Sequence, residues 1–213
     1  MLPEGVEVFK MFKMRSGNIA FSNNLKCIKV CNMNGQVVKS IGQGVLKNPA
    51  GIYVDETSNI VYVADIGNYS VLMFDNCSSQ IIRRIWSLGK EGSQMNGVFY
   101  VTLTSEGHLL VLECTNSRLQ LFDNEGRFTK ILVQAGDENG KVRNPYGVVV
   151  DEDDNIIISS NHKLQLFSSE GNFIKRIDKP EDGINNPWGL SIISYHPRRI
   201  AVTNDNTVKI FNY

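Results

Sequence analysis

Apolar and polar residues alternate in short runs along this chain, and the runs are separated by clusters of Asp, Ser, Asn and Gly. The most regular of them are Ile28–Cys31 (IKVC), Val71–Phe74 (VLMF), Leu119–Phe122 (LQLF), Leu164–Phe167 (LQLF) and Val208–Phe211 (VKIF). A period of two marks a strand with one buried face, and no stretch carries the i, i+3, i+4 spacing of an amphipathic helix. Each of these runs follows a second apolar run: Asn18–Phe21, Ile60–Val63, Leu109–Leu112, Asn155–Ile158 or Ile200–Val202. A first run precedes that one, as in Ile52–Asp55, Val98–Val101 and Val148–Asp151, and a fourth follows polar turns, as in Phe128–Ile131 and Phe173–Ile177. The chain therefore predicts repeated units of four short antiparallel strands joined by turn-forming residues.

The repeat has a landmark. Pro3-Glu4-Gly5, Pro49-Ala50-Gly51, Pro145-Tyr146-Gly147 and Pro187-Trp188-Gly189 each precede an apolar run, and Met95-Asn96-Gly97 is a degenerate copy. Successive glycines lie 46, 46, 50 and 42 residues apart, the period of a propeller blade. A four-stranded sheet cannot bury both faces alone, so such units stack about an axis. The expected fold class is all-β: a β-propeller of four-stranded antiparallel blades in a single domain over residues 1–213. Its repeats fall near 3–48, 49–94, 95–144, 145–186 and 187–213, and the last blade is incomplete.

Pro49–Asp55 (PAGIYVD), Asn59–Asp65 (NIVYVAD) and Asn68–Asp75 (NYSVLMFD) resemble the NHL repeat, whose pattern is roughly P-x-G-[IV]-x-V-D, N-I-Y-V-A-D and N-x-R-V-x-V-F-D. The second repeat matches best and the others in part, so the resemblance covers nearly the whole chain. The arginine of the pattern survives only as Arg118, and the acid ending the second strand as Asp65 and Glu113. Acid and base at these positions either brace the turn or meet a ligand. NHL rings usually have six blades, whereas five are visible here and the last stops after its third strand. The resemblance thus implies a fragment of a longer, six-bladed product. In animal proteins of the tripartite-motif class it also implies a target-selecting module of a ubiquitin ligase, with single-stranded RNA as the alternative ligand.

Composition narrows the partners only slightly. The 213 residues hold 22 basic and 22 acidic side chains and are 42% apolar, as in ordinary soluble globular proteins. No segment is long and apolar enough to span a bilayer, so neither a membrane nor DNA is an expected partner. Cys27, Cys31, Cys77 and Cys114 form no metal knuckle or dense disulfide frame, which suits a reducing, cytoplasmic setting.

Connections alternate between blade faces, so the loop before the first strand and the loop between the second and third share one face. That face gathers the candidate partner-binding residues Asn48, Tyr69, Arg118, Asn144, Tyr146, His162, Lys163, Asn186 and Trp188. Tyr146 and Trp188 occupy equivalent positions in neighbouring repeats, where a ring either covers the seam between blades or anchors a peptide or base. RNA needs a positive surface. Residues 1–48 carry a net +5 but residues 145–186 a net −4, and Asp137, Glu138, Asp178, Glu181 and Asp182 offset Lys141, Arg143, Lys163 and Lys179.

No catalytic residue, metal ligand or cofactor is expected. His108, His162 and His196 share no blade position, the first strands supply Glu7, Tyr53, Val149 and Ser191 without a carboxylate cluster, and no nucleophile elbow or phosphate loop occurs. The acidic turn Asp151–Asn155 lacks the central glycine and closing glutamate of a calcium loop. The expectation is a non-enzymatic binding platform for protein or peptide, with RNA recognition as one alternative and a metal-dependent lyase or hydrolase as the other.

Overall fold

The computed structural model describes residues 5–86, 89 and 91–213, so the Pro3-Glu4 half of the first landmark lies outside the described residues. Five antiparallel sheets follow one another in meander order. The first holds β1 (Val8–Lys13), β2 (Ile19–Asn23), β3 (Ile28–Cys31) and β4 (Val37–Ile41). The second holds β5 (Pro49–Asp55), β6 (Ile60–Asp65), β7 (Ser70–Asp75) and β8 (Ile81–Trp86). The third holds β9 (Val98–Leu103), β10 (Leu109–Glu113), β11 (Arg118–Phe122) and β12 (Phe128–Val133). The fourth holds β13 (Pro145–Val150), β14 (Ile156–Ser160), β15 (Lys163–Phe167) and β16 (Phe173–Arg176). The fifth has three strands, β17 (Pro187–Tyr195), β18 (Arg198–Asn204) and β19 (Thr207–Asn212). These are the blades of a β-propeller, four complete and the last one strand short.

The chain forms two compact units, residues 1–101 and 102–213. In the first, Ile28, Val30, Ile52, Val54, Val61, Val63, Leu72 and Phe74 share one core, drawn from alternate positions of successive strands. In the second, Ile157, Leu164, Leu166, Leu190, Ile200 and Val202 do the same. Burial of such side chains supplies most of the folding free energy, at roughly 25 cal/mol for each Å² of apolar surface removed from water.

Turns at the far ends of the strands are built by side-chain acceptors. Asp151 Oδ1 accepts the amides of Asp153 and Asn155, at 3.0 and 2.8 Å. Asp123 does the same for Glu125 and Arg127, at 2.9 and 2.8 Å. The remaining acids of the Asp151–Asn155 turn are engaged too: Arg198 pairs with Asp153, and Asp154 Oδ1 accepts the Ser105 amide at 2.8 Å. The turn is a satisfied hairpin connection.

The landmark glycine has a steric cause. A Cβ on Gly51 would stand 2.7 Å from Tyr100 Cα and 2.8 Å from the Phe99 carbonyl oxygen, so β5 and β9 approach too closely for any side chain there. Gly147 is similarly confined, with Ser159 Oγ at 2.9 Å and the Trp188 carbonyl oxygen at 3.2 Å. At Gly189 the nearest atom is the Thr203 hydroxyl oxygen at 3.0 Å, a side chain that can turn away. Gly51→Ala is therefore expected to cost about 2–3 kcal/mol, the upper part of the range for overpacking, and Gly189→Ala distinctly less. Urea denaturation of the two variants checks the order.

Candidate functional site

Each second strand ends in a buried polar side chain, and in three of the five sheets it accepts hydrogen bonds that organise the neighbouring loop or turn. Asp65, ending β6, is fully buried and accepts the amides of Lys47 and Asn48, at 3.0 and 2.8 Å, together with the Asn68 side-chain amide at 2.6 Å. One carboxylate thus ties the loop entering β5 to the turn between β6 and β7. Asn204, ending β18, takes the same role for the fifth sheet, where its Oδ1 accepts the Asn185 amide and its Nδ2 donates to the Gly183 carbonyl at 3.2 Å. In the third sheet the acceptor is Glu113, whose Oε1 receives Arg118 Nε at 2.8 Å. The β14 strand ends in Ser160, too short to reach the incoming loop. There Lys163 donates to the carbonyls of Asp137 and Glu138, at 2.7 and 3.0 Å, and holds the 134–142 loop instead.

The turn after each acceptor uses a left-handed residue just before the third strand: Lys26, Tyr69, Ser117, His162 and Asp205, with φ of 58°, 50°, 51°, 64° and 49°. None is glycine, so each turn presents a side chain, at a backbone cost on the order of 1 kcal/mol. Asn144 and Asn186, with φ of 44° and 47°, kink the chain ahead of Pro145 and Pro187. The prolines open edge strands β13 and β17, where no ladder amide is needed.

Two of the nine expected partner-binding residues are corrected by this geometry. Arg118 is only 6% exposed and is consumed in its ion pair with Glu113, whose side chain is fully buried. Lys163 is likewise 6% exposed, and its ammonium is spent on the two loop carbonyls. Burial, ahead of the neighbouring Arg176, pulls the Lys163 amine below its ordinary value. Both hold loops in place and offer no charge to a partner. The acid and base of the repeat therefore act as braces.

The other seven lie at the surface or half-buried. In the first unit Asn48 and Tyr69 are exposed. In the second, Asn144, His162 and Asn186 are exposed, with the Asn144 amide on Ser117 Oγ at 3.2 Å and the Asn186 side chain on Asp205 at 3.3 Å. Tyr146 and Trp188 come together: their rings stack with centroids 4.7 Å apart and planes at 26°. Tyr146 is half-buried, and desolvation, followed by the nearby Cys114, raises its hydroxyl pKa. Trp188 remains 53% exposed, so the stack presents an open indole. Asn185 and Asp205, which flank that ring in sequence and turn, were not singled out by residue type. The left-handed turn that places Asp205 is visible only in the backbone.

Charge on this face cancels locally. Arg143 pairs with Asp137 at 2.7 Å and Lys141 with Glu138 at 2.6 Å. These bases are already neutralised, which disfavours a phosphate-binding platform.

No family model and no curated protein matches the chain. Solved structures do. The propeller in a nidogen/laminin complex aligns with TM-score 0.77 at 15% identity, over 96% of this chain and 75% of that one. The WD40 propeller domain of Doa1 aligns with TM-score 0.71 at 17% identity, over 93% and 62%. A catalytically inactive virginiamycin B lyase from Staphylococcus aureus, solved with quinupristin, aligns with TM-score 0.69 at 16% identity, over 100% and 72%. The class is thus a β-propeller. The expectation of a non-enzymatic chain is corrected by the last of these, since a lyase carries the same fold and the fold gives no ground for setting catalysis aside.

The brace reading has a direct consequence. Arg118→Ala leaves the Glu113 carboxylate buried without its guanidinium, and a loss of about 3–5 kcal/mol in unfolding free energy is expected, read by urea denaturation.

Proposed function

We propose that the loop face around Tyr146 and Trp188 binds an extended protein segment. The observation that carries this reading is the half-exposed indole backed by a stacked phenol. A rigid aromatic surface buries large area on binding at little entropic cost, and such rings dominate protein interfaces. The braces supply preorganisation: Lys163, Asn204 and the left-handed turns hold the surrounding loops before any partner arrives. Support also comes from the nidogen/laminin neighbour, a propeller solved in complex with another protein. By the NHL-like repeat pattern, the setting proposed for this face is target selection in a cytoplasmic ubiquitin ligase of the tripartite-motif type.

Peptides selected by display against the whole chain provide the test, with affinity followed by fluorescence anisotropy. Trp188→Ala is expected to weaken binding at least tenfold, about 1.4 kcal/mol, and Tyr146→Ala by a smaller factor through loss of the stack. Selected peptides whose affinity is indifferent to both changes would remove the reading. Salt-sensitive binding of single-stranded oligoribonucleotides that depends on Trp188, without peptide binding, would assign the face to RNA instead.

A further inference from the structure

Bases that reach the loops of the second unit are already spent. Arg143 pairs with Asp137, Lys141 with Glu138 and Arg176 with Asp178, while Lys163 and Lys209 donate to loop carbonyls. Asp205, in the turn between β18 and β19, is different: it is exposed and pairs with no base among the described residues. Its oxygens accept from neutral donors instead, Oδ2 from the Asn185 side-chain amide at 3.0 Å and Oδ1 from that of Asn186 at 3.3 Å. These contacts orient the carboxylate without neutralising it. An ionised carboxylate has about four lone-pair sites, so capacity for a charged donor remains.

That charge lies beside the open indole. Pro187 and Asn204 are partners across β17 and β18, and Trp188 and Asp205 are the residues that follow each of them, so the two flank one ladder pair. Trp188 is 53% exposed and stacked on Tyr146, which places a broad aromatic surface next to an oriented negative charge. A guanidinium matches both halves. Its planar face stacks on an indole by cation–π attraction, and its fork of N–H donors suits a carboxylate. An ammonium supplies the charge without the plane, and an acidic side chain meets repulsion.

We propose that the segment bound by this face presents an arginine, whose guanidinium packs on Trp188 and pairs with Asp205. This inference rests on the peptide reading above and names the side chain that the face recognises. The wider field has the same sign, since residues 145–186 carry a net −4 and draw a basic segment toward the second unit.

The test uses the whole chain and those display-selected peptides whose affinity depends on Trp188. Each is synthesised again with its arginines replaced singly by citrulline, which keeps the shape and loses the charge, or by lysine. Citrulline at the recognised position is expected to weaken binding at least about tenfold, and lysine by a smaller factor. Asp205→Asn should weaken the arginine peptide to a similar extent. Asparagine tolerates the left-handed backbone there, with φ of 49°, so the turn is kept. On the Asp205→Asn chain the citrulline penalty should shrink to about threefold or less, the mark of a shared contact. Trp188-dependent peptides that carry no arginine, or whose arginines all tolerate citrulline, overturn the inference and leave the peptide reading standing. A citrulline penalty undiminished by Asp205→Asn does the same. Absence of any Trp188-dependent peptide overturns both.

Discussion

At two of the landmark glycines, neighbouring sheets approach so closely that a side chain has no room. At Gly51 the backbone of the next first strand stands where a Cβ would be, and at Gly147 a hydroxyl and a carbonyl crowd the same position. Close approach at the landmark glycine brings the apolar residues of facing sheets together, as close-packed interiors require. Pro49, Pro145 and Pro187 stand two residues ahead, at the start of edge strands where their missing amide goes unused. At Gly51 and Gly147 the Pro-x-Gly signature is thus a packing requirement.

Packing of this kind fixes strands but leaves the connecting loops to be organised by polar groups. A buried polar group at or just after the end of the second strand supplies that organisation, and it differs from blade to blade. Asp65 and Asn204 hold backbone amides, Glu113 holds a guanidinium, and the short Ser160 hands the task to Lys163. Side chains that differ from blade to blade, such as Tyr69, His162 and Asp205, stand in left-handed turns beside these fixed points. The stacked Tyr146 and Trp188 belong to the same scheme, presented by kinked Asn-Pro entries.

Much of the fold was legible in residue order. The period of the glycines, the alternation within β3, β7, β11, β15 and β19, and the missing fourth strand of the last sheet all follow from local pattern. What residue order could not convey was which way a polar side chain turns. Arg118 and Lys163 have the composition of ligand-binding bases, yet each turns inward, because a buried acid or an unsatisfied loop carbonyl lies within reach.

Loops held in place before any partner arrives are central to this account of the fold, and amide hydrogen exchange reports on them directly. Lys47, Asn48 and Asn185 are exposed residues outside the ladders, yet their amides are held by Asp65 and Asn204. Exchange at these three amides well below unfolded-chain rates, in the chain without any partner, is the predicted result. Exchange at unfolded-chain rates while the amides of β6 and β18 stay protected would contradict the account, because the buried acceptors would then not be holding the loops.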